Sequence, residues 1–288
     1  MSFTRMNCAL AAAAALGITG AASAELAYGT TQGGFLVSFD TATPGTIISG
    51  TPVQGLLSNE QLVGIDFRPA TGELYGIGSF SRIYRINPMS GQVNPVGPQF
   101  APALNGASFG MDFNPTVDRI RQVSDADQNQ RYNPITGLTA ATDASLFYGA
   151  GDANQGVNPN VSHVAYTNSV PNATSTTLFG LDTGTDTLVR HTVGPAFATL
   201  TTVGSMGTDI TDVGGFDISG FTGTAFAAIR DVNQSRTTFW TLNLGTGLGS
   251  QIGEIGGGHI LTSLSIVPEP TSIALLALGG LALAARRR

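Results

Sequence analysis

Five times along the chain, an apolar run with small or polar residues at alternate positions leads into a turn. The segments "LVGIDFRPATGELYGIG", "SFGMDFNPTVDRIRQVS", "VSHVAYTNS", "VGGFDISGFTGTAFAAI" and "LTSLSIV" align on Phe67, Phe113, Tyr166, Ile218 and Ile266, at intervals of 46, 53, 52 and 48 residues. A second element repeats out of phase with the first: "FDTATPG", "INPMSG", "YNPITG" and "LNLGTG". Each places Asn or Asp ahead of a Pro, Thr or Gly cluster between apolar runs, which is hairpin chemistry. The fourth repeat carries "LDTGTD" at 181–186, which fits a neighbouring hairpin of the same unit. Its alignment stays open.

A period of about 50 residues with several short strands per unit predicts the blade of a β-propeller. In the second unit the pattern predicts strands at 62–67, 73–77, 82–86 and 92–96, with turns at 69–72 and 88–91. Val63, Ile65 and Phe67 alternate with Leu62, Gly64 and Asp66, so the first strand buries both faces and keeps small residues on one. The segment 261–267 matches a first strand with no blade behind it, and 26–53 reads as three strands with none before them. Joined, they complete one blade, close the ring and remove the open edges. The expected fold is an all-β propeller of five blades, each of four antiparallel strands, over residues 25–267. Two stacked sandwiches are the rival arrangement.

Composition agrees with this reading. With 38 Gly, 14 Pro, 11% charged residues and no lysine, the chain is short of the residues that fill long helices. Its 288 residues, 42% hydrophobic, can bury a large core. The body retains nine arginines once Arg5 and the last three are set aside, against 18 acidic residues without Glu269, a balance of about −9. Nucleic acid and anionic membrane surfaces are therefore excluded as partners. Neutral glycans, cations and proteins remain.

Both ends read as processing signals. Arg5, an apolar stretch at 9–18 and the small-x-small site Ala22-Ser23-Ala24 form a signal peptide over 1–24, cut before Glu25 by signal peptidase. The alternative is a buried N-terminal helix. Cys8, the one cysteine, lies inside this segment, so the mature chain holds no disulfide. At the other end, 273–285 is too short for a simple spanning helix and is followed by Arg286, Arg287 and Arg288, which favour the cytoplasmic side. Pro268-Glu269-Pro270, the apolar run and the arginine cluster resemble, in that order, the PEP-CTERM sorting tail that exopolysaccharide-producing Gram-negative bacteria present to exosortase. The resemblance implies export, a transient inner-membrane anchor over 268–288, and a destination at the cell surface or outside it. A permanent tail anchor is the alternative.

The body is similar, through "GIDFRPATGELYGIG", "RQVSDADQNQRYNPITG", "GDANQGVNPNVSHVAYTNS" and "TLFGLDTGTDTLVRH", to a bacterial secreted family known as a numbered domain of unknown function. That resemblance implies a propeller-like fold and no activity.

Candidate chemistry is sparse. Gly106-Ala107-Ser108-Phe109-Gly110 has nucleophile-elbow spacing but leads into a strand, where an elbow needs a helix. His163, His191 and His259 show no metal-ligand spacing. Asp125, Asp127 and Asn129 alternate like the opening of a calcium loop, yet Gln130 and Thr136 stand where that loop needs Gly and Glu. Asp152 and Asn154 are possible additional oxygens, and Asx-turns are the simpler account. Asp66, Asp112 and Asp217 share one position in three of the five first strands, either as a sparse axial metal ring or as caps of the turns that follow. The function expected is a non-catalytic binding or scaffold protein of an exopolysaccharide or biofilm matrix, with no cofactor apart from a candidate Ca2+. The alternative is a propeller enzyme acting on a glycan or lactone through a metal in the central channel.

Overall fold

A computed structural model describes residues 24–192, 197–230 and 235–268. Strands β1 (Leu26–Thr30), β2 (Phe35–Asp40) and β3 (Ile47–Pro52) belong to the first blade, and β4 (Leu62–Phe67), β5 (Leu74–Gly78), β6 (Arg82–Ile86) and β7 (Val93–Val96) form the second. The third comprises β8 (Phe109–Asn114), β9 (Arg119–Ser124), β10 (Asn129–Tyr132) and β11 (Thr139–Thr142). The fourth contains β12 (Phe147–Tyr148), β13 (Val161–Tyr166), β14 (Leu178–Asp182), β15 (Thr187–His191) and β16 (Thr199–Ser205). The fifth is β17 (Gly214–Ile218), β18 (Ala225–Arg230), β19 (Thr237–Leu242) and β20 (Gly249–Glu254). The last strand, β21 (Ser265–Ile266), returns to the first blade and pairs antiparallel with β1, Ala27 opposite Ile266 and Tyr28 opposite Ser265. This is the five-bladed, end-closed ring that the repeat predicts.

The four strands predicted for the second unit appear within one residue of their expected limits. The recurrent turns have one construction. Asn87, Asn133 and Asn243 each accept two backbone N–H groups two and three residues ahead through Oδ1, and each turn ends on a glycine at positive φ, Gly91, Gly137 and Gly247. A residue with a Cβ is disfavoured in that backbone region, which fixes the glycine's place. The segment "LDTGTD" joins β14 to β15, the middle hairpin of its blade, whereas the other copies join the third and fourth strands. It is therefore a neighbouring hairpin.

One departure from the expected four antiparallel strands occurs in the fourth blade. The long connection after β11 contributes β12, which pairs parallel to the outermost strand β16, Phe147 opposite Thr199. It covers an edge whose unpaired N–H and C=O groups would otherwise face outward.

Among the described residues, five apolar clusters hold the blades together, each joining consecutive ones. The anchors Phe67, Phe113, Tyr166, Ile218 and Ile266 are all buried. At the centre, the innermost strands pack in the cycle β4, β8, β13, β17, β21 and back to β4. Their close approach depends on glycine. A Cβ on Gly215 would lie 2.3 Å from the Leu264 nitrogen, and one on Gly64 would lie 2.7 Å from Met111 Cβ. The axis is consequently almost filled: a cavity of about 10 Å³ lies among the innermost strands, with Gly64, Met111, Val164 and Leu264 in its wall. Among the described residues, no helix is long and apolar enough to cross a membrane.

Candidate functional site

The residue immediately before each anchor is Asp66, Asp112, Ala165, Asp217 or Ser265, in chain order. Because this position has one phase in every innermost strand, ring geometry brings residues far apart in sequence to a common centre. One carboxylate oxygen from each of Asp66, Asp112 and Asp217 lies within 4.8 Å of the others, and all three residues are buried.

These side chains link successive blades. Asp66 Oδ2 accepts the N–H of Phe113 at 2.8 Å, Asp112 accepts the N–H of Tyr166, and Asp217 Oδ2 accepts the N–H of Ile266 at 2.5 Å. Ser265 Oγ continues the pattern by accepting the N–H of Phe67 at 3.1 Å, and it donates to Asp66 Oδ1 at 2.8 Å. The fourth blade breaks the series, because Ala165 has no acceptor; the Ile218 N–H is taken by its own neighbour, Asp217 Oδ1, at 2.6 Å. The three aspartates therefore do not cap the turns that follow them. They face sideways across the blade junctions, since an innermost strand lies beside the next blade's backbone.

The electrostatics are unbalanced. Among the described residues, none of the five ion pairs involves these carboxylates. Burial, followed by the charge of Asp217, pushes Asp66 well above the usual carboxylate range, and Asp112 is raised by burial and by both other aspartates. Asp217 is pushed up to about 6 by burial, against the Ile266 and Ile218 N–H groups that hold it down. Asp112 Oδ1 is buried without a hydrogen-bond partner.

The calcium-like run has a different fate. Asp125 Oδ1 accepts the N–H groups of Ala107 and Ser108, and Asn129 Oδ1 accepts from the guanidinium of buried Arg121. Asp127 lies at positive φ, and burial raises its pKa. The first and last of the three thus aim at different partners. Asp152 accepts the N–H and hydroxyl of Thr202 and the N–H of Asn154, tying the loop to β16. Ser108 precedes β8 directly, so the elbow spacing has no helix behind it.

His163 and His191 are buried in the fourth blade, while His259 is half-buried elsewhere. Burial pushes His191 down to about 4 and also lowers His163. Among the processing residues, Ala24 is exposed and Pro268 half-buried; Ala22, Glu269, Pro270, Arg286, Arg287 and Arg288 lie outside the described residues.

A family model for a domain of unknown function, DUF4394, matches residues 35–265, nearly the whole ring. The chain belongs to this family. Beyond the DUF4394 body, residues 267–288 match the PEP-CTERM protein-sorting motif, which marks the protein as exported and sorted by exosortase. No curated protein matches the chain. Among solved structures, the DUF4394 chain is similar to a Bacteroides thetaiotaomicron structural genomics protein of unknown function, with 13% identity, TM-score 0.49, and 86% of this chain and 68% of the other covered. A chain of a nidogen/laminin complex gives 9% identity and TM-score 0.49, covering 85% of this chain and 98% of the other. A chain of Kuenenia stuttgartiensis hydrazine synthase gives 11% identity and TM-score 0.39, covering 68% of this chain, which spans only 49% of that one.

Proposed function

We propose that this protein is a non-catalytic binding or scaffold component of an exopolysaccharide matrix, exported behind a cleaved signal peptide and released from a transient membrane anchor by exosortase. The observation that carries the reading is the closed axis. A cavity of about 10 Å³ holds roughly one water and no sugar ring. The carboxylates of the innermost strands are hydrogen-bonded to backbone across blade junctions, as fastening groups would be. Binding then belongs to the outer surface, where a groove of about 240 Å³ between the first two blades is lined by Thr30, Thr31, Val53, Leu57, Gln61 and the Glu60 carboxylate, a mixture of hydroxyl, amide, acidic and apolar groups suited to hydroxyl-rich neutral sugars.

The two processing points suit one another. The Val267 N–H donates to Leu26 O at 2.8 Å, so residues 24 and 268 leave the ring at the same end of the first blade. Glu25, the first residue after the expected cut, is buried, and its carboxylate accepts hydroxyls from Ser219 and Thr222 of the fifth blade. The described ring thus begins with a buried Glu25 directly after the expected first cut.

The convergence of three aspartates favours a second reading, an enzyme with an axial metal, but the cavity of about 10 Å³ among the innermost strands is too small for a substrate. A glycan-binding screen of the mature protein, with and without chelator and with product analysis, separates the two. The expected result is glycan binding that survives chelation and releases no shortened product. Chelator-sensitive cleavage of a glycan or lactone would replace this function with the enzymatic one.

A further inference from the structure

We propose that Asp66, Asp112 and Asp217 bind one Ca2+ ion on the propeller axis, a structural ion that joins the second, third and fifth blades. The argument begins with proximity. Three carboxylates from three blades bring an oxygen each within 4.8 Å of one another, a span that a single cation can bridge. A second observation points to a ligand: Asp112 is 2% exposed, its Oδ1 has no hydrogen-bond partner among the described residues, and the charges that act on it are those of Asp66 and Asp217. A buried carboxylate oxygen left without a donor is costly, and a cation supplies what the protein does not.

The remaining oxygens are already aimed. N–H groups of Phe113, Ile266 and Ile218 and the Ser265 hydroxyl fix the rotamers of Asp66 and Asp217, as outer-shell partners orient metal ligands. An oxygen lone pair remains free on each accepting atom, so coordination and these hydrogen bonds coexist. An all-oxygen, all-carboxylate set selects a hard cation and disfavours zinc or copper. Calcium is preferred over magnesium because the three ligands come from separate blades, and Ca2+ tolerates irregular geometry whereas Mg2+ demands a near-ideal octahedron. Protonation is the competing way to relieve the charge: burial raises all three aspartates, each facing at least one of the others, with Glu25 adding negative charge at Asp217.

The test uses the full mature protein, stripped with EDTA and returned to millimolar Ca2+ or Mg2+, and requires no glycan, so it stands or falls apart from the proposed function. Elemental analysis after equilibrium dialysis is expected to find one Ca2+ per chain. Thermal unfolding is expected to rise by about 5–10 °C when Ca2+ is in roughly hundred-fold excess over its Kd. Asp112→Asn keeps an acceptor for the Tyr166 N–H while removing one charge. It should melt no lower than the parent in EDTA and lose the response to Ca2+. Should that variant fail to fold, the dialysis stoichiometry of the parent decides alone. No bound Ca2+ in the parent, or an equal response in parent and Asp112→Asn, would overturn the proposal; a response to Mg2+ equal to that of Ca2+ would overturn the choice of ion.

Discussion

A chain that ends at Gly258 is expected to aggregate or remain unfolded, whereas one that ends at Pro268 folds without the sorting tail. The lost segment supplies the innermost strand of the first blade through the pairs Ala27 with Ile266 and Tyr28 with Ser265, and Leu261 bridges to Thr31. Leu261, Leu264 and Ile266 are buried among Ala27, Val37, Phe39, Phe226 and Phe239 at the junction of the fifth and first blades. Three such side chains contribute about 5–9 kcal/mol of burial. Two axial links vanish as well, because Ser265 bonds Phe67 and Asp66, and Asp217 bonds Ile266. The total is comparable with the whole stability of a domain, about 5–15 kcal/mol. Thermal unfolding and elution volume measure the outcome. Equal melting temperatures and monodisperse elution for the two chains would contradict ring closure by the terminal strand.

The second large effect concerns Asp143, whose substitution by Asn should lower the melting temperature by about 10 °C, from a cost of about 3–5 kcal/mol. Arg121 is 1% exposed and lies 5.0 Å over the Phe197 ring; its Nε donates to the Tyr166 hydroxyl at 2.7 Å and its Nη1 pairs with Asp143 Oδ2 at 3.1 Å. The same carboxylate holds Arg131 with two bonds at 2.7 and 2.8 Å. Removing Asp143 takes away a carboxylate shared by a buried guanidinium and by Arg131, whereas removing Arg121 leaves Asp143 paired with Arg131. Arg121→Met is therefore the milder change, and an apolar side chain of similar length refills the site. Differential calorimetry of the two variants reads the order directly, and a larger loss for Arg121→Met would contradict the account.

Much of this architecture was legible because a repeat shows its phase in every copy. The runs ending at Phe67, Phe113 and Ile218 carry the same small-Φ-Asp-Φ pattern, so one strand identified the others, and the incomplete segments at 26–53 and 261–267 specified the closure. What the pattern left open was direction across the ring. Asp66 and Asp112 are 46 residues apart, and Asp217 is 105 beyond Asp112. Their shared phase signalled convergence, but strand alternation alone does not distinguish a side chain that caps its own turn from one that reaches the next blade's backbone. The run from Asp125 to Asn129 illustrates the reverse problem. Its local spacing suits a cation, yet Asn129 opens β10 and is turned towards Arg121, a partner set by tertiary packing. Strand β12 left no trace because two residues are too few to show a period.

The proposed function is that of an exported ring, trimmed at both ends and retained by polysaccharide. Its most direct test is the intact mass of the protein recovered from the washed extracellular polysaccharide fraction of cells that produce it. The account predicts a single species that begins at Glu25 and ends close to Pro270, associated with polysaccharide of undiminished length. Protein retaining Arg288, confined to the membrane fraction and absent from the polysaccharide, would contradict it.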